Sequence, residues 1–299
     1  MDYGTALAAY SALLDDLRGV RWTPRRRVPG GPTGAHVSTR RGSGAEFTEY
    51  RAYRQGDDPR QLDWKLLART DRAYVRLAEE QAILPTMLVV DASASMAYPV
   101  PGLAKWAQAC RLAVGLAAVA HGSGDPVGAV AGIASGPLTV SPRTRRGIIG
   151  DIASTLASVA PEGTPPLTTA MTAARALLAR AGRLVVVSDF LANRPADESA
   201  LIATGGELVR AGGECVAVHV VAREELDPPW SQALVADPEQ PALRRPLSGA
   251  TRAAYVARFS AWRDELSRGW RAVGATYALI ATDEMSARAV RRITTGLAG

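Results

Sequence analysis

Short apolar runs alternate with longer helical stretches from residue 85 onward, and this alternation limits the fold more than any other feature. The runs are rich in Val, Leu, Ile and Ala, as buried parallel strands are. They lie at 86–90, 127–133, 183–188, 214–221 and 276–281, with a short edge candidate at 137–140. Helical patterns separate them at about 103–121, 144–158, 167–181, 197–211, 251–272 and 285–297. The pattern predicts an α/β fold with a doubly wound, mostly parallel sheet and helices on both faces.

The first 84 residues do not follow this alternation, so we expect an N-terminal accessory region over 1–84 and the α/β domain over 85–299. Residues 1–22 have the period of an amphipathic helix. Residues 23–44 are rich in Pro, Gly and Arg and predict turns. Residues 46–81 mix charged and aromatic side chains, with a short helix at 59–70 and a strand at 73–81. Within the α/β domain, residues 227–247 predict a hairpin or an irregular insertion before the last strand.

Composition excludes several classes of protein. The net charge of +6 comes almost wholly from arginine, since Lys65 and Lys105 are the only lysines, and the scatter of the basic residues argues against nucleic-acid binding. Cys110 and Cys215 have no metal-ligand spacing and indicate a reducing compartment. The start of the chain does not read as a secretory signal, and the apolar stretch 112–120 is about half of what a membrane span needs. We therefore expect a cytoplasmic protein without a membrane span.

Two aspartates follow apolar runs directly. Asp91 ends the run at 86–90, and Asp189 ends the run at 183–188. Because parallel strands deliver their carboxyl ends to one edge of a sheet, both carboxylates are expected at the same edge. Ser93 and Ser95 follow Asp91 on the loop, and hydroxyls combined with carboxylates suit a hard cation such as Mg²⁺. The alternative is that Asp91 and the serines only cap a helix or stabilise a turn.

A further hydroxyl comes from the loop 161–171, "PEGTPPLTTAM", just before a helical pattern. Thr164 and Thr168 are both candidates.

Together these motifs resemble a known family. "DASAS" at 91–95, the Gly-Thr loop and "VVVSD" at 185–189 resemble the metal-ion-dependent adhesion site of von Willebrand factor A (vWA) domains. Upstream, "GSGAEFTEYRAYRQGDDPRQLDWKLLART" is similar to the signature of the bacterial family called domain of unknown function 58 (DUF58). The resemblance covers roughly residues 34 to 283 and implies a vWA-like, Rossmann-like fold.

The resemblance also implies a ligand set and a partner. It assigns Asp91, Ser93, Ser95, Thr164 and Asp189 to a site for Mg²⁺ or another divalent cation such as Mn²⁺ or Ca²⁺. The family tends to have a polar or acidic residue directly after the threonine, whereas this chain has Pro165 and Pro166 there, so Thr168 is an alternative ligand. Thr164 is favoured, because Gly163 before it gives the local backbone freedom. The implied partner is a MoxR-type AAA+ ATPase or its client.

The signature segment also carries residues of alternating charge, namely Arg51, Arg54, Asp57, Asp58, Arg60, Asp63 and Arg69. Such a network either buttresses the α/β domain or forms a docking surface for a partner. Its aromatic side chains lead us to expect that this segment packs on the α/β domain.

Two functions remain open. The first is a metal-dependent protein–protein interaction module that captures a carboxylate of its partner and is not an enzyme. The alternative is a magnesium-dependent phosphoryl-transfer or hydrolytic enzyme that uses the same strand-end aspartates. The sequence has no P-loop motif, no H-E-x-x-H and no G-x-S-x-G, and no base or nucleophile beyond the serines is evident beside the expected metal. We therefore favour the interaction module.

Overall fold

In the computed structural model of the chain, two compact units are formed by Met1–Thr23 with Pro85–Gly299 and by Pro24–Leu84. The residues that the structure describes are 3–25, 33–42, 46–55, 59, 62–99, 102–178, 182–191, 195–228, 234–236, 244–246 and 249–296.

In its described residues, the smaller unit contains a three-stranded antiparallel sheet and one α-helix. Its elements are β1 (Thr33–Gly42), β2 (Glu46–Ala52), α3 (Trp64–Thr70) and β3 (Tyr74–Ala82). β3 is the central strand. Asp63 caps α3 by accepting a hydrogen bond from Leu66 N at 2.9 Å, and its other oxygen accepts from Tyr50 Oη at 2.8 Å. Asp63 therefore fixes the start of α3 against β2.

The helix and strand predicted at 59–70 and 73–81 are confirmed, but the prediction of turns over 23–44 is wrong at 33–42, where β1 forms. β1 is an edge strand of its sheet, held by backbone pairing with β3, so it needs no apolar alternation to be specified. Asp57, Asp58 and Arg60 of the charged network lie outside the described residues. The packing of the signature segment on the α/β domain stays a prediction.

The larger unit is built on a six-stranded sheet. Its strands are β4 (Thr86–Asp91), β5 (Val127–Gly132), β6 (Leu138–Arg143), β7 (Arg183–Ser188), β8 (Glu214–Val221) and β11 (Thr276–Ala281). Their order across the sheet is β11-β8-β7-β4-β5-β6, parallel except for β6, which runs antiparallel to β5. The doubly wound, mostly parallel sheet is thus confirmed.

Helices cover both faces of this sheet. The helices of the unit are α1 (Tyr3–Ala8), α2 (Ser11–Asp16), α4 (Ala104–Gly122), α5 (Ile148–Ala157), α6 (Leu167–Ala176), α7 (Pro195–Arg210), α8 (Arg223–Leu226), α9 (Gly249–Ala272) and α10 (Ser286–Thr294). One apolar core contains Leu88 and Val90 of β4 with residues of α4, α5 and α10. The other contains Met87 and Val89 with residues of α6, α7 and α9. Alternate residues of β4 therefore face opposite cores, as a doubly covered strand requires.

Two details complete the larger unit. The expected helix over 1–22 is divided into α1 and α2, while the predicted hairpin in the 227–247 insertion is present as β9 (Leu234–Ala236) paired with β10 (Arg244–Pro246). None of the helices in the described part of the chain is both long and apolar enough to cross a membrane.

Candidate functional site

Strand order brings the two predicted aspartates to one place. β4 and β7 are adjacent and parallel, with Val90 paired to Val187. Asp91 is the last residue of β4, and Asp189 follows the last residue of β7, so both lie at the carboxyl edge of the sheet. The connection from β4 runs to β5 on one side, whereas β7 lies on the other. This is the point where the topology of an open α/β sheet switches direction, and where such sheets bind ligands.

Asp91 is buried and accepts hydrogen bonds at both carboxylate oxygens. Oδ1 accepts from the backbone N–H of Ser93 at 2.9 Å, and Oδ2 accepts from Ser188 Oγ at 2.5 Å. Ser188 Oγ itself accepts from Phe190 N at 2.8 Å, so its proton is committed to Asp91. These bonds fix the Asp91 carboxylate toward the loop that carries the two serines.

The serines connect the two carboxylates. Ser93 Oγ lies 3.1 Å from Ser95 Oγ, and Ser95 Oγ donates to Asp189 Oδ1 at 3.1 Å. All of these side chains are buried, with relative exposures between 0% and 2%. The structure therefore joins four of the five predicted ligands, Asp91, Ser93, Ser95 and Asp189, in one hydrogen-bonded cluster.

The two carboxylates influence each other. Burial, and next the negative charge of Asp189, raise the pKa of Asp91 to about 6, although the bonds from Ser188 and Ser93 act in the opposite direction. The ionised form of such a buried carboxylate is stabilised by any positive charge placed beside it. The cluster is thus electrostatically prepared for a cation at Asp91.

The loop with Thr164 is attached to the serine loop by two backbone hydrogen bonds. Glu162 N donates to Ala92 O at 2.9 Å, and Ala94 N donates to Gly163 O at 2.8 Å. Gly163 has φ +63°, in the left-handed region that glycine adopts without strain. Thr164 follows directly and its side chain is exposed, whereas Thr168 lies in the first turn of α6 and is half-buried. The backbone attachment favours Thr164 as the residue next to the serines.

Two further charged residues belong to the cluster and were missed by the sequence analysis. Lys105 lies in the first turn of α4, and its ammonium donates to Asp189 Oδ2 at 2.6 Å and to Glu225 Oε1 at 2.8 Å. Burial alone lowers the pKa of Lys105, but the carboxylates of Asp189 and Glu225 outweigh it and the pKa is raised. Glu225 lies in α8, and burial raises its pKa although Lys105 opposes the shift.

Signals for both residues were present in the sequence. Glu225 lies in α8, which begins shortly after β8 ends, so it is near the same edge of the sheet although it does not follow its strand directly as Asp91 and Asp189 do. Lys105 is one of two lysines in the chain and stands near the start of a helical stretch in which apolar residues predominate. An isolated lysine in such a stretch indicates a paired, buried ammonium.

Phe190, directly after Asp189, has a left-handed backbone with φ +56°. This geometry is uncommon for a bulky residue and is maintained only by strong surrounding contacts. The ring is buried against His219 at a centroid distance of 5.5 Å and against Trp270 at 5.9 Å. The aromatic contacts hold the chain turned at the point where Asp189 meets Ser95.

The donor set fits a small, hard divalent cation. Carboxylate and hydroxyl oxygens of Asp91, Ser93 and Ser95 lie together, and Asp91 is short of positive charge. In the described part of the chain, no group of three or more His, Cys, Asp or Glu side chains is arranged to hold a metal. A cation at this cluster would therefore depend on the serine hydroxyls as ligands.

Large apolar side chains are exposed around the same edge of the sheet. Leu103 precedes α4, Leu191 follows Asp189, Met285 precedes α10, and Leu138 begins β6 beside the end of β5. Their exposed fractions are 38%, 40%, 71% and 39%. We call these four residues the apolar rim. Leu191 is tied to the cluster directly, since its N–H donates to Asp189 Oδ1 at 3.1 Å.

Comparison with known proteins gives a family. The family model described as "Protein of unknown function DUF58" matches residues 49–264. The uncharacterized protein Rv1480 of Mycobacterium tuberculosis is 29% identical over 276 residues, which cover 89% of this chain and 84% of that protein. The uncharacterized protein Mb1516 of Mycobacterium bovis matches with the same identity and coverage.

Two solved structures show similarity at low sequence identity. An aerotolerance-related membrane protein from Bacteroides fragilis has a TM-score of 0.46 and 18% identity, covering 71% of this chain and 97% of that chain. The VWA domain of SpRpn10 has a TM-score of 0.42 and 11% identity, covering 70% of this chain and 94% of that one.

Proposed function

This chain belongs to the DUF58 family, and we propose that it is a metal-dependent protein-interaction module and not an enzyme. In this proposal a divalent cation, Mg²⁺ by preference, is held by Asp91, Ser93 and Ser95, with Thr164 and Asp189 completing the site. The observation that carries the proposal is the buried cluster of carboxylates and hydroxyls at the switch point of the sheet, bordered by the exposed apolar rim.

The ligand types favour binding over chemistry. Serine hydroxyls bring no negative charge, so an ion with few carboxylate ligands keeps a strong attraction for an additional one. A bound divalent ion would supply the positive charge that attracts a glutamate or aspartate of a partner. Ser188, the hydroxyl closest to Asp91, is itself buried and holds both Asp91 and Phe190 N in place. Its role in the fold argues against its use as a nucleophile.

The apolar rim supplies contact area around this point of charge. Protein interfaces combine a few apolar anchors with specific polar contacts at their centre. Leu103 and Leu191 neighbour Lys105 and Asp189 in sequence, and Met285 is flanked by Glu284 and Ser286, which both bond to Gln108 of α4. A partner that places an acidic side chain over the cluster would therefore meet apolar side chains on several sides.

The proposed partner is a MoxR-type AAA+ ATPase or its client, as the family resemblance of the signature segment and the site motifs implies. The exposed rim supports a protein partner in general, and the choice of this ATPase rests on the resemblance.

The proposal is tested by binding of the full chain to a MoxR-type ATPase, measured by pull-down and by calorimetry with Mg²⁺ and with EDTA. We expect binding only with Mg²⁺, a loss of at least about tenfold in affinity for Ser93→Ala/Ser95→Ala, and a smaller loss for Leu191→Ser. Leu177→Ser is the matched control, because Leu177 has a similar exposed fraction of 37% but lies at the end of α6, away from the carboxyl edge.

Two outcomes would contradict the proposal. Binding that ignores both EDTA and the double serine variant would remove the metal from the mechanism. Hydrolase or phosphatase turnover that is lost in the same double variant would support the enzyme alternative instead.

A further inference from the structure

Lys105 holds a position that the metal-site motif does not explain. It is the second residue of α4, a helix that begins after the serine loop, and its side chain is 1% exposed. A buried ammonium is costly unless carboxylates or other acceptors surround it. Lys105 has these acceptors in Asp189 and Glu225, at 2.6 and 2.8 Å, and its ammonium also lies 5.6 Å from the centre of the Tyr98 ring.

The hydrogen bonds around Lys105 are divided between the oxygens of each carboxylate. Oδ2 of Asp189 accepts a hydrogen bond from Lys105, while Oδ1 accepts from Ser95 Oγ and Leu191 N. Oε1 of Glu225 accepts a hydrogen bond from Lys105, while Oε2 accepts from Ala222 N at 2.7 Å. The ammonium is therefore part of a hydrogen-bond network that joins the ends of β7 and β8 to the start of α4.

The charges in this buried cluster do not balance. Three carboxylates, those of Asp91, Asp189 and Glu225, lie with one ammonium, that of Lys105. Lys105 compensates Asp189 and Glu225, whereas the Asp91 carboxylate is bound by a serine hydroxyl and a backbone N–H, both uncharged. The cluster thus has two carboxylates already paired with a cation and one carboxylate, that of Asp91, open to a cation.

We propose that Lys105 is a resident cation of this site, which keeps Asp189 and Glu225 compensated without a metal and weakens divalent-cation binding at Asp91, Ser93 and Ser95. The claim that Lys105 weakens metal binding deepens the proposed function and rests on it. The claim that Lys105 compensates Asp189 and Glu225 does not depend on that function. Like charges repel strongly across the short distances of a buried cluster, so the ammonium limits how tightly a divalent ion binds. It also occupies Asp189 Oδ2, so that this oxygen is withheld from the ion.

The physical consequence is a site that stays folded when empty and binds its cation only moderately. Such a site releases the ion readily when no partner carboxylate completes the coordination. Removal of the ammonium should have two opposite effects. The metal-free protein loses stability, because two buried carboxylates lose their cation, and the affinity for a divalent ion rises.

The test compares three variants of the full chain with the wild type. Lys105→Met keeps most of the length of the side chain and removes its charge. Lys105→Met/Glu225→Gln also removes one of the carboxylates that the ammonium compensates, while the new amide oxygen can still accept from Ala222 N, so this variant is expected to fold even if the single variant does not. Lys65→Met is the matched control, since Lys65 is the only other lysine and is exposed.

Melting temperature in EDTA and Mn²⁺ affinity by calorimetry are the two readouts. We expect Lys105→Met to melt at least about 5 °C below the wild type in EDTA, with part of the loss restored by Glu225→Gln. We expect Lys105→Met/Glu225→Gln to bind Mn²⁺ at least about tenfold more tightly than the wild type. Lys65→Met should match the wild type in both readouts.

Either of two results overturns the inference. The first is a metal-free melting temperature of Lys105→Met equal to that of the wild type. The second is Mn²⁺ affinity in the double variant that is no greater than in the wild type, including the case in which neither binds Mn²⁺. Failure of the proposed function gives a different result, namely Mn²⁺ binding or partner binding that is unaffected by Asp91→Asn. If the wild type binds no Mn²⁺ but the double variant does, the result supports Lys105 as a resident cation. It also counts against a metal-dependent function of the wild type.

Discussion

Asp91 and Asp189 are chemically identical and equally buried, but the structure gives them different neighbours. Asp189 is bonded to the ammonium of Lys105, while Asp91 is bonded by Ser188 Oγ and Ser93 N. A buried carboxylate bonded only to neutral donors holds its negative charge at a cost. Asp91 is therefore the residue at which pH and added cations should act.

The first prediction concerns Asp91→Asn in the metal-free protein. The folded pKa of Asp91, about 6, lies above its ordinary value of 3.8, so the folded state binds the proton more tightly than the unfolded state. The associated stability is fully present below the ordinary value and is lost as the pH rises through about 6. An asparagine stays neutral, so at pH 7.5 we expect the variant to be more stable than the wild type by on the order of 2 kcal/mol, and this advantage to shrink toward pH 4.5.

Urea unfolding in EDTA across this pH range measures the difference. The control is Asp16→Asn, since Asp16 is exposed on α2. An advantage of Asp91→Asn that is absent at pH 7.5, or that grows toward low pH, would show that Asp91 is compensated in a way that these contacts do not reveal. In Mg²⁺ the wild type should instead be more stable than Asp91→Asn, because the ion stabilises only the protein that retains the carboxylate.

The sequence predicted part of this cluster for a definite reason. Asp91 and Asp189 follow their strands directly, so parallel pairing alone brings them together. Lys105 instead reaches the site from a helix, and its direction depends on the length of the preceding loop and on the rotation of α4. Those quantities depend on tertiary packing, so the sequence around Lys105 can indicate a buried ammonium but not which carboxylates it meets.

At the scale of elements, the edge of the sheet contains an irregularity that a glycine permits. Val127 pairs with Arg143 and Ala129 with Val140, so two residues of β6 oppose the single Gly128 of β5. This is a β-bulge. A Cβ at Gly128 would lie 2.5 Å from Val140 O and 2.8 Å from Pro142 N, and backbone atoms cannot move aside cheaply.

The second prediction is that Gly128→Ala destabilises the protein by about 1–3 kcal/mol, because the added methyl group overpacks the bulge. The free energy of unfolding in urea measures the effect. Gly122→Ala at the end of α4 is the control, since an added Cβ there meets nothing within 4 Å, and it should be neutral or slightly stabilising. Equal stability of the two variants would mean that β6 shifts away from β5 without cost.

The strands that could be predicted from the sequence are those with a strong apolar pattern. The strands of the large sheet were predicted well because they are buried on both faces and form continuous apolar runs, as β4 and β7 do. β1 and β2 were missed because they are rich in polar and small residues. Backbone pairing with β3 specifies these strands, and such pairing leaves little trace in composition.

At the scale of the whole molecule, the N-terminal residues belong to the α/β unit although the sequence between them and β4 does not. Trp22 is 4% exposed, its backbone N–H donates to Ser123 Oγ at 3.0 Å, and its ring lies 4.0 Å from the guanidinium of Arg183 at the start of β7. Arg183 is fully buried and pairs with Glu214 at 2.9 Å. Trp22 therefore covers a buried cation and links the first residues of the chain to the centre of the sheet.

The last prediction is that Trp22→Ala lowers the free energy of unfolding by about 3–5 kcal/mol, as the loss of a buried tryptophan does. The reason is twofold: the substitution opens a cavity, and it removes the ring on which the Arg183 guanidinium lies, a contact that is strong when desolvated. Urea unfolding measures the loss. Trp64→Ala is the matched control, since Trp64 is 64% exposed on α3 and should change stability little. If the two variants unfold alike, the buried ring of Trp22 contributes little to the stability of the α/β unit.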